Sequence, residues 1–81
     1  MIVVLNNKCH FSKKEYIQYL EKLKKIKLEK HHIILCPPMA YLSITPSAKL
    51  DLGSQNVGRN SYGPYTGEIS AEQLKSLGIA Y

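Results

Sequence analysis

An α/β fold built on parallel strands is the expectation for this 81-residue chain, and three features of its sequence carry it. Short apolar runs alternate with amphipathic stretches, which is the signature of βαβ units joined by right-handed crossovers. The apolar runs are continuous rather than alternating, as in strands covered on both faces. Two of the intervening stretches open on a reciprocal helix-start signal, a capping box flanked by a hydrophobic staple.

The first strand is expected at residues 2–5, "IVVL", mostly β-branched and apolar. A polar break follows, and a helix is expected over 12–28. Ser12 is its N-cap, Glu15 the capping-box partner, and Phe11 with Tyr16 the staple. Tyr16, Ile17, Leu20 and Leu23 mark its apolar face. "IILC" at 33–36 is the second strand, stopped by Pro37 and Pro38, which cannot continue a ladder. A short helix at 39–44 is closed off by Pro46. The third strand is expected at 52–57, followed by a polar, Gly-rich loop over 58–67. The last helix, 70–77, sits in "TGEISAEQL" and its continuation. Ser70 and Gln73 form the box, Ile69 and Leu74 the staple, and Gly78 suits a left-handed C-terminal residue. Ile79, Ala80 and Tyr81 open a further strand.

Composition narrows the function classes. An apolar content of 44% fits a folded domain rather than a disordered one. No apolar run approaches the roughly 20 residues that span a bilayer, and "MIVVL" is too short for a secretory signal, so neither a membrane nor secretion is expected. The formal charge is +5. Seven of the 11 basic residues are lysines between Lys13 and Lys30, the pattern of a solvated helix face, with no nucleic-acid-binding motif beside it. Cys9 and Cys36 have neither CxxC nor metal-ligand spacing and read as reduced thiols, Cys36 in the core. His10, His31 and His32 are joined by no carboxylate or cysteine cluster, and no metal site is expected.

A parallel sheet needs cover on both faces. Helices on right-handed crossovers all lie on one face, so four to six strand side chains are expected to stay bare on the other. At ~1.5–3 kcal/mol each, that is ~10 kcal/mol of missing burial, comparable with the ~5–15 kcal/mol that holds a typical domain together. The expectation is therefore a unit of a larger object, a longer chain or an assembly.

Three stretches give that object a form: "LNNK" at the end of the first strand, "ILCPPMAYL", and "LGSQNVGRNSYGPYTGEISAEQLKSLGIAY". In this order and spacing they resemble the N-terminal third of the triosephosphate isomerase family. The third stretch is the most specific, coupling Gln-Asn at a strand end to Tyr-Thr-Gly-Glu-Ile-Ser across one loop. The first departs from the family's usual Gly-Asn-Trp-Lys-Met-Asn, with Leu5 in place of glycine and Asn7 in place of tryptophan.

The resemblance implies the first three βα units of a (β/α)8 TIM barrel, truncated at the start of strand four, with residues 1–81 one partial domain. It implies an isomerase of the cytoplasm that interconverts dihydroxyacetone phosphate and glyceraldehyde 3-phosphate without cofactor or metal. Asn6 and Lys8 match the substrate-binding asparagine and lysine, and Gln55 and Asn56 match residues that brace the pocket. Tyr65, Thr66, Gly67 and Glu68 match the protruding loop that docks into a second subunit of a homodimer. The family's general-base glutamate and electrophilic histidine lie beyond residue 81, so these residues alone are expected to be inactive. The alternative expectation is a stand-alone binding module that uses the basic helix or the Tyr-rich loop.

Overall fold

The computed structural model describes residues 1–27, 29–46 and 50–81. Its β-branched and apolar runs form three parallel strands, β1 (Ile2–Asn6), β2 (His32–Cys36) and β3 (Asp51–Leu52), in the order β1-β2-β3. The register pairs Val3 with Ile33, Leu5 with Leu35, and Leu35 with Leu52. Because side chains alternate along a strand, these residues share one face, and Ile2, Val4, Asn6, His32, Ile34, Cys36 and Asp51 share the other. Helix α1 (Lys13–Lys24), a short 3-10 helix (Met39–Ile44) and helix α2 (Ala71–Ser76) complete the chain.

The core lies on the first face. Tyr16, Leu20 and Leu23 of α1, Leu42 of the 3-10 helix, Leu74 of α2 and Ile79 pack with Leu35 and Leu52. Tyr16 is fully buried, and its hydroxyl lies 2.6 Å from Thr45 Oγ1, which itself donates to the Tyr41 carbonyl at 2.8 Å. Since Thr45 spends its proton on that carbonyl, Tyr16 is the donor in the first bond. Burial pushes the Tyr16 phenol above its ordinary range.

Both helix starts carry the reciprocal caps that their sequences announce. Ser12 Oγ accepts from Glu15 N–H, and Glu15 Oε1 accepts from Ser12 N–H; Ser70 and Gln73 repeat the pair at α2. Helix α2 ends in a Schellman motif: Gly78, at φ +78°, donates to Lys75 O, and Ile79 donates to Leu74 O. The chain then runs beside β3, where Ala80 and Tyr81 N–H both reach Leu52 O.

Four features differ from the sequence expectation. Helix α1 ends at Lys24, and Leu28 lies outside the described residues. Its buried stripe of Tyr16, Leu20 and Leu23 would next need an apolar residue at 27, where the chain has a lysine. Ile17 lies off that stripe and is exposed. Strand β3 is two residues long, because the side chains of Ser54 and Asn56 take up the local backbone. Ser54 Oγ donates to Asn56 O, and Asn56 Oδ1 accepts from Val57 N–H. The second sheet face is also less bare than expected. Among the apolar strand residues on it, Ile2 (66% exposed) and Val4 (56%) are open to solvent, whereas Ile34 is buried. A Cβ at Gly53 would meet Ile34, Cys36 and the Tyr81 side chain, so glycine lets these groups close over that part of the face. Among the described residues no helix is long and apolar enough to cross a membrane.

Candidate functional site

The C-terminal ends of the three strands converge on one cluster. Beyond β1, Lys8 takes a left-handed backbone at φ +54°, a conformation uncommon outside glycine, asparagine and aspartate. Its N–H donates to the Asn6 side-chain oxygen at 2.9 Å. That bond occupies Oδ1 and leaves the Asn6 amide nitrogen as a donor. Lys8 makes no ion pair among the described residues, so its positive charge at the strand ends is unopposed.

Gln55, past the end of β3, ties the cluster together. Its Nε2 lies 2.9 Å from Lys8 O, 3.1 Å from Cys36 O and 2.9 Å from Pro37 O. Pro37 and Pro38 have no N–H, so the ladder stops here, and Cys36 O accepts from Asn7 N–H at 3.0 Å as well as from Gln55. Asn56 is not part of this cluster, since its side-chain oxygen caps its own turn at Val57. Cys36 closes β2 beside it, and burial raises its thiol above the ordinary value.

Tyr65, Thr66, Gly67 and Glu68 lie in a separate loop. Gly58 N–H donates to Ile69 O at 2.6 Å, which brings the loop's ends together into a compact Ω-type excursion. Tyr62 and Tyr65 are exposed at its tip, and a cavity of about 360 Å³ lined by Arg59, Tyr62, Tyr65, Glu68 and Gln73 lies beneath it. Ser61 Oγ donates to Glu72 Oε1 at 3.0 Å, which fastens the loop to α2. The Glu72 carboxyl sits below its usual range, mainly through its own backbone N–H and then through Ser61.

Three further features have no distinct signal in the sequence. Asn7 is buried, and its side-chain oxygen has no hydrogen-bond partner among the described residues. Phe11 holds φ +78° while its ring stacks on Tyr19 at 5.1 Å. At the opposite ends of the strands, His32 Nε2 lies 2.5 Å from Asp51 Oδ2 and 3.4 Å from the Tyr81 hydroxyl. That grouping depends on strand register, which local sequence does not reveal. Among the described residues no three His, Cys, Asp or Glu side chains are gathered to hold a metal ion.

A sequence model of triosephosphate isomerase matches residues 1–81, the whole of the chain. The chain belongs to the triosephosphate isomerase family. Its relatives include the triosephosphate isomerases of Wolbachia pipientis wMel, 35% identical over 99% of this chain and 34% of the relative, and of Zygosaccharomyces bailii, 35% identical over 94% of this chain and 33% of the relative. That of Alkaliphilus metalliredigens is 34% identical, with 99% of this chain and 34% of the relative covered. The chain thus spans about a third of the length of the curated triosephosphate isomerases it matches. Its parallel three-stranded sheet with helices on one face is part of an α/β TIM-barrel fold.

Proposed function

We propose that these 81 residues form the N-terminal, substrate-binding part of a triosephosphate isomerase that interconverts dihydroxyacetone phosphate and glyceraldehyde 3-phosphate in the cytoplasm. The supporting observation is the meeting of Asn6, Lys8 and Gln55 at the C-terminal ends of parallel strands, where barrel enzymes carry their sites, in a chain matched end to end by this family. In this reading Asn6 offers its free amide nitrogen to the substrate. The Lys8 ammonium opposes the negative charge that grows on the substrate oxygen as the enediolate forms. Gln55 supports the pocket from the end of β3, while Asn56 shapes the turn that follows it. The loop carrying Tyr65, Thr66, Gly67 and Glu68 docks into a second subunit, with its exposed tyrosines as the contact surface.

The proton transfers need a general base and an electrophile, and among the described residues no carboxylate or imidazole is hydrogen-bonded into the Asn6, Lys8 and Gln55 cluster. Glu15 belongs to the capping box of α1, Glu72 lies in the first turn of α2, and Glu68 lies in the loop. Acid–base catalysis is worth about 10²–10⁴-fold, so the 81 residues alone are expected to be inactive. The test joins residues 1–81 to the remaining two-thirds of the Wolbachia pipientis relative and assays triose phosphate isomerisation. The chimaera should be active, and Lys8→Ala should lower kcat/KM by about 10²–10³-fold. A chimaera that folds but does not turn over, or activity in the 81 residues alone, would overturn the reading.

A further inference from the structure

We infer that Gln55 is a positioning residue, holding the Lys8 backbone left-handed and so aiming the Lys8 ammonium. The inference rests on the role proposed above for Lys8 and goes beyond general support of the pocket, because it assigns one side chain to one torsion.

Both peptide groups that flank the Lys8 Cα are tied from outside. The N–H is held by Asn6 Oδ1 and the C=O by Gln55 Nε2, each at 2.9 Å. A lysine at φ +54° sits in a region that costs a side-chain-bearing residue on the order of 1–3 kcal/mol. Two fixed peptide planes supply a reason for it to stay there. The Gln55 amide cannot be turned the other way round, since its oxygen would then face three carbonyl oxygens. Its two hydrogens serve three acceptors, so one hydrogen is shared. The acceptors come from the ends of β1 and β2, and the donor comes from beyond β3. One side chain therefore sets the position of Lys8 relative to the ends of β2 and β3. Asn56, the adjacent residue, spends its side chain on Val57 N–H and has no such reach.

The experiment compares Gln55→Leu, which keeps the bulk and removes the donors, with Gln55→Asn, which keeps the amide but is one methylene short. Two readouts are taken. In the chimaera described above, the NMR cross-relaxation between the Lys8 amide and α protons, strong for a left-handed residue, should weaken in both variants. The loss of Tm caused by Gln55→Leu should also be larger in a Lys8→Gly background, where no strain is released when the bonds are removed. In the same chimaera, Gln55→Leu should lower kcat by up to about 10²-fold, the scale of a misplaced catalytic group, with a smaller change in KM. An unchanged Lys8 signature, or a Tm loss that is the same with and without Lys8→Gly, would reduce Gln55 to a strand-end stitch and overturn the inference. Lys8→Ala separates the two ideas. If Lys8→Ala destroys activity and Gln55→Leu does not, positioning by Gln55 fails and the functional reading stands. If Lys8→Ala is silent, the functional reading fails and the aim of the ammonium has no purpose.

Discussion

Phe11 shows how this chain balances local strain against packing. At φ +78° an aromatic residue pays a steric cost of ~1–2 kcal/mol. In return its ring stacks on Tyr19 and lies 6.3 Å from Tyr16, and its carbonyl accepts from the Tyr41 hydroxyl at 3.2 Å. The two terms can be separated. Phe11→Ala loses the ring and keeps the strain, whereas Phe11→Gly loses both. Urea denaturation should find Phe11→Ala the less stable of the two by about 1 kcal/mol; equal stabilities would mean that the backbone relaxes. Nothing in the sequence around Phe11 signals a positive φ, and its role in the staple was legible only as an apolar residue before a cap. Lys8 is similar: its residue type and strand-end place were readable, but its torsion and its tie to Gln55, 47 positions away, depend on strands that pair across the chain.

At the scale of elements, what is local was legible and what is tertiary was not. Both capping boxes and the Gly78 stop lie within a few residues of sequence, and the structure has them. The end of α1 and the brevity of β3 are set by whether a neighbour offers apolar contact or a ladder partner. The caps make a pH prediction. Hydrogen bonds from the Ser12 backbone and then its hydroxyl lower the Glu15 carboxyl from 4.5, and Glu72 is lowered at α2. A carboxylate with a lowered folded value adds stability above its unfolded value and loses it as pH falls through the folded one. Far-UV circular dichroism should therefore show helix loss on acidification below about pH 4.5. The loss should be smaller in Glu15→Gln, which keeps the reciprocal acceptor without titrating. Helix loss of the same size in that variant would place the acid sensitivity elsewhere. Ser12→Ala and Ser70→Ala should each cost about 1 kcal/mol at neutral pH.

For the whole molecule, the informative surface is the sheet face opposite the helices. Ile2 and Val4 stand exposed there, flanked by the polar Asn6, His32 and Asp51. In the 81-residue protein the double change Ile2→Thr and Val4→Thr keeps β-branched residues in β1, so it should leave Tm nearly unchanged and reduce binding of a hydrophobic dye. In the chimaera the same face lines the barrel interior, and the pair should instead cost about 1–3 kcal/mol per site. The same sign in both proteins would show that the barrel does not close over β1. The sequence announced the open face through its strand count, and overstated its apolar content. Alternation along β1–β3 was hidden by the continuous apolar runs, and the shielding of Ile34 depends on contacts around Gly53.

Each capping box closes across four consecutive residues, and that has a consequence in time as well as in space. A ribosome adds four residues in under about a second, and a helical turn forms in far less than that. The starts of α1 and α2 are thus specified as soon as they are made, without waiting for the strands they will pack on. Synthesis would deliver these helices already delimited, so that what remains to be found is the pairing of strands rather than the placement of helix ends.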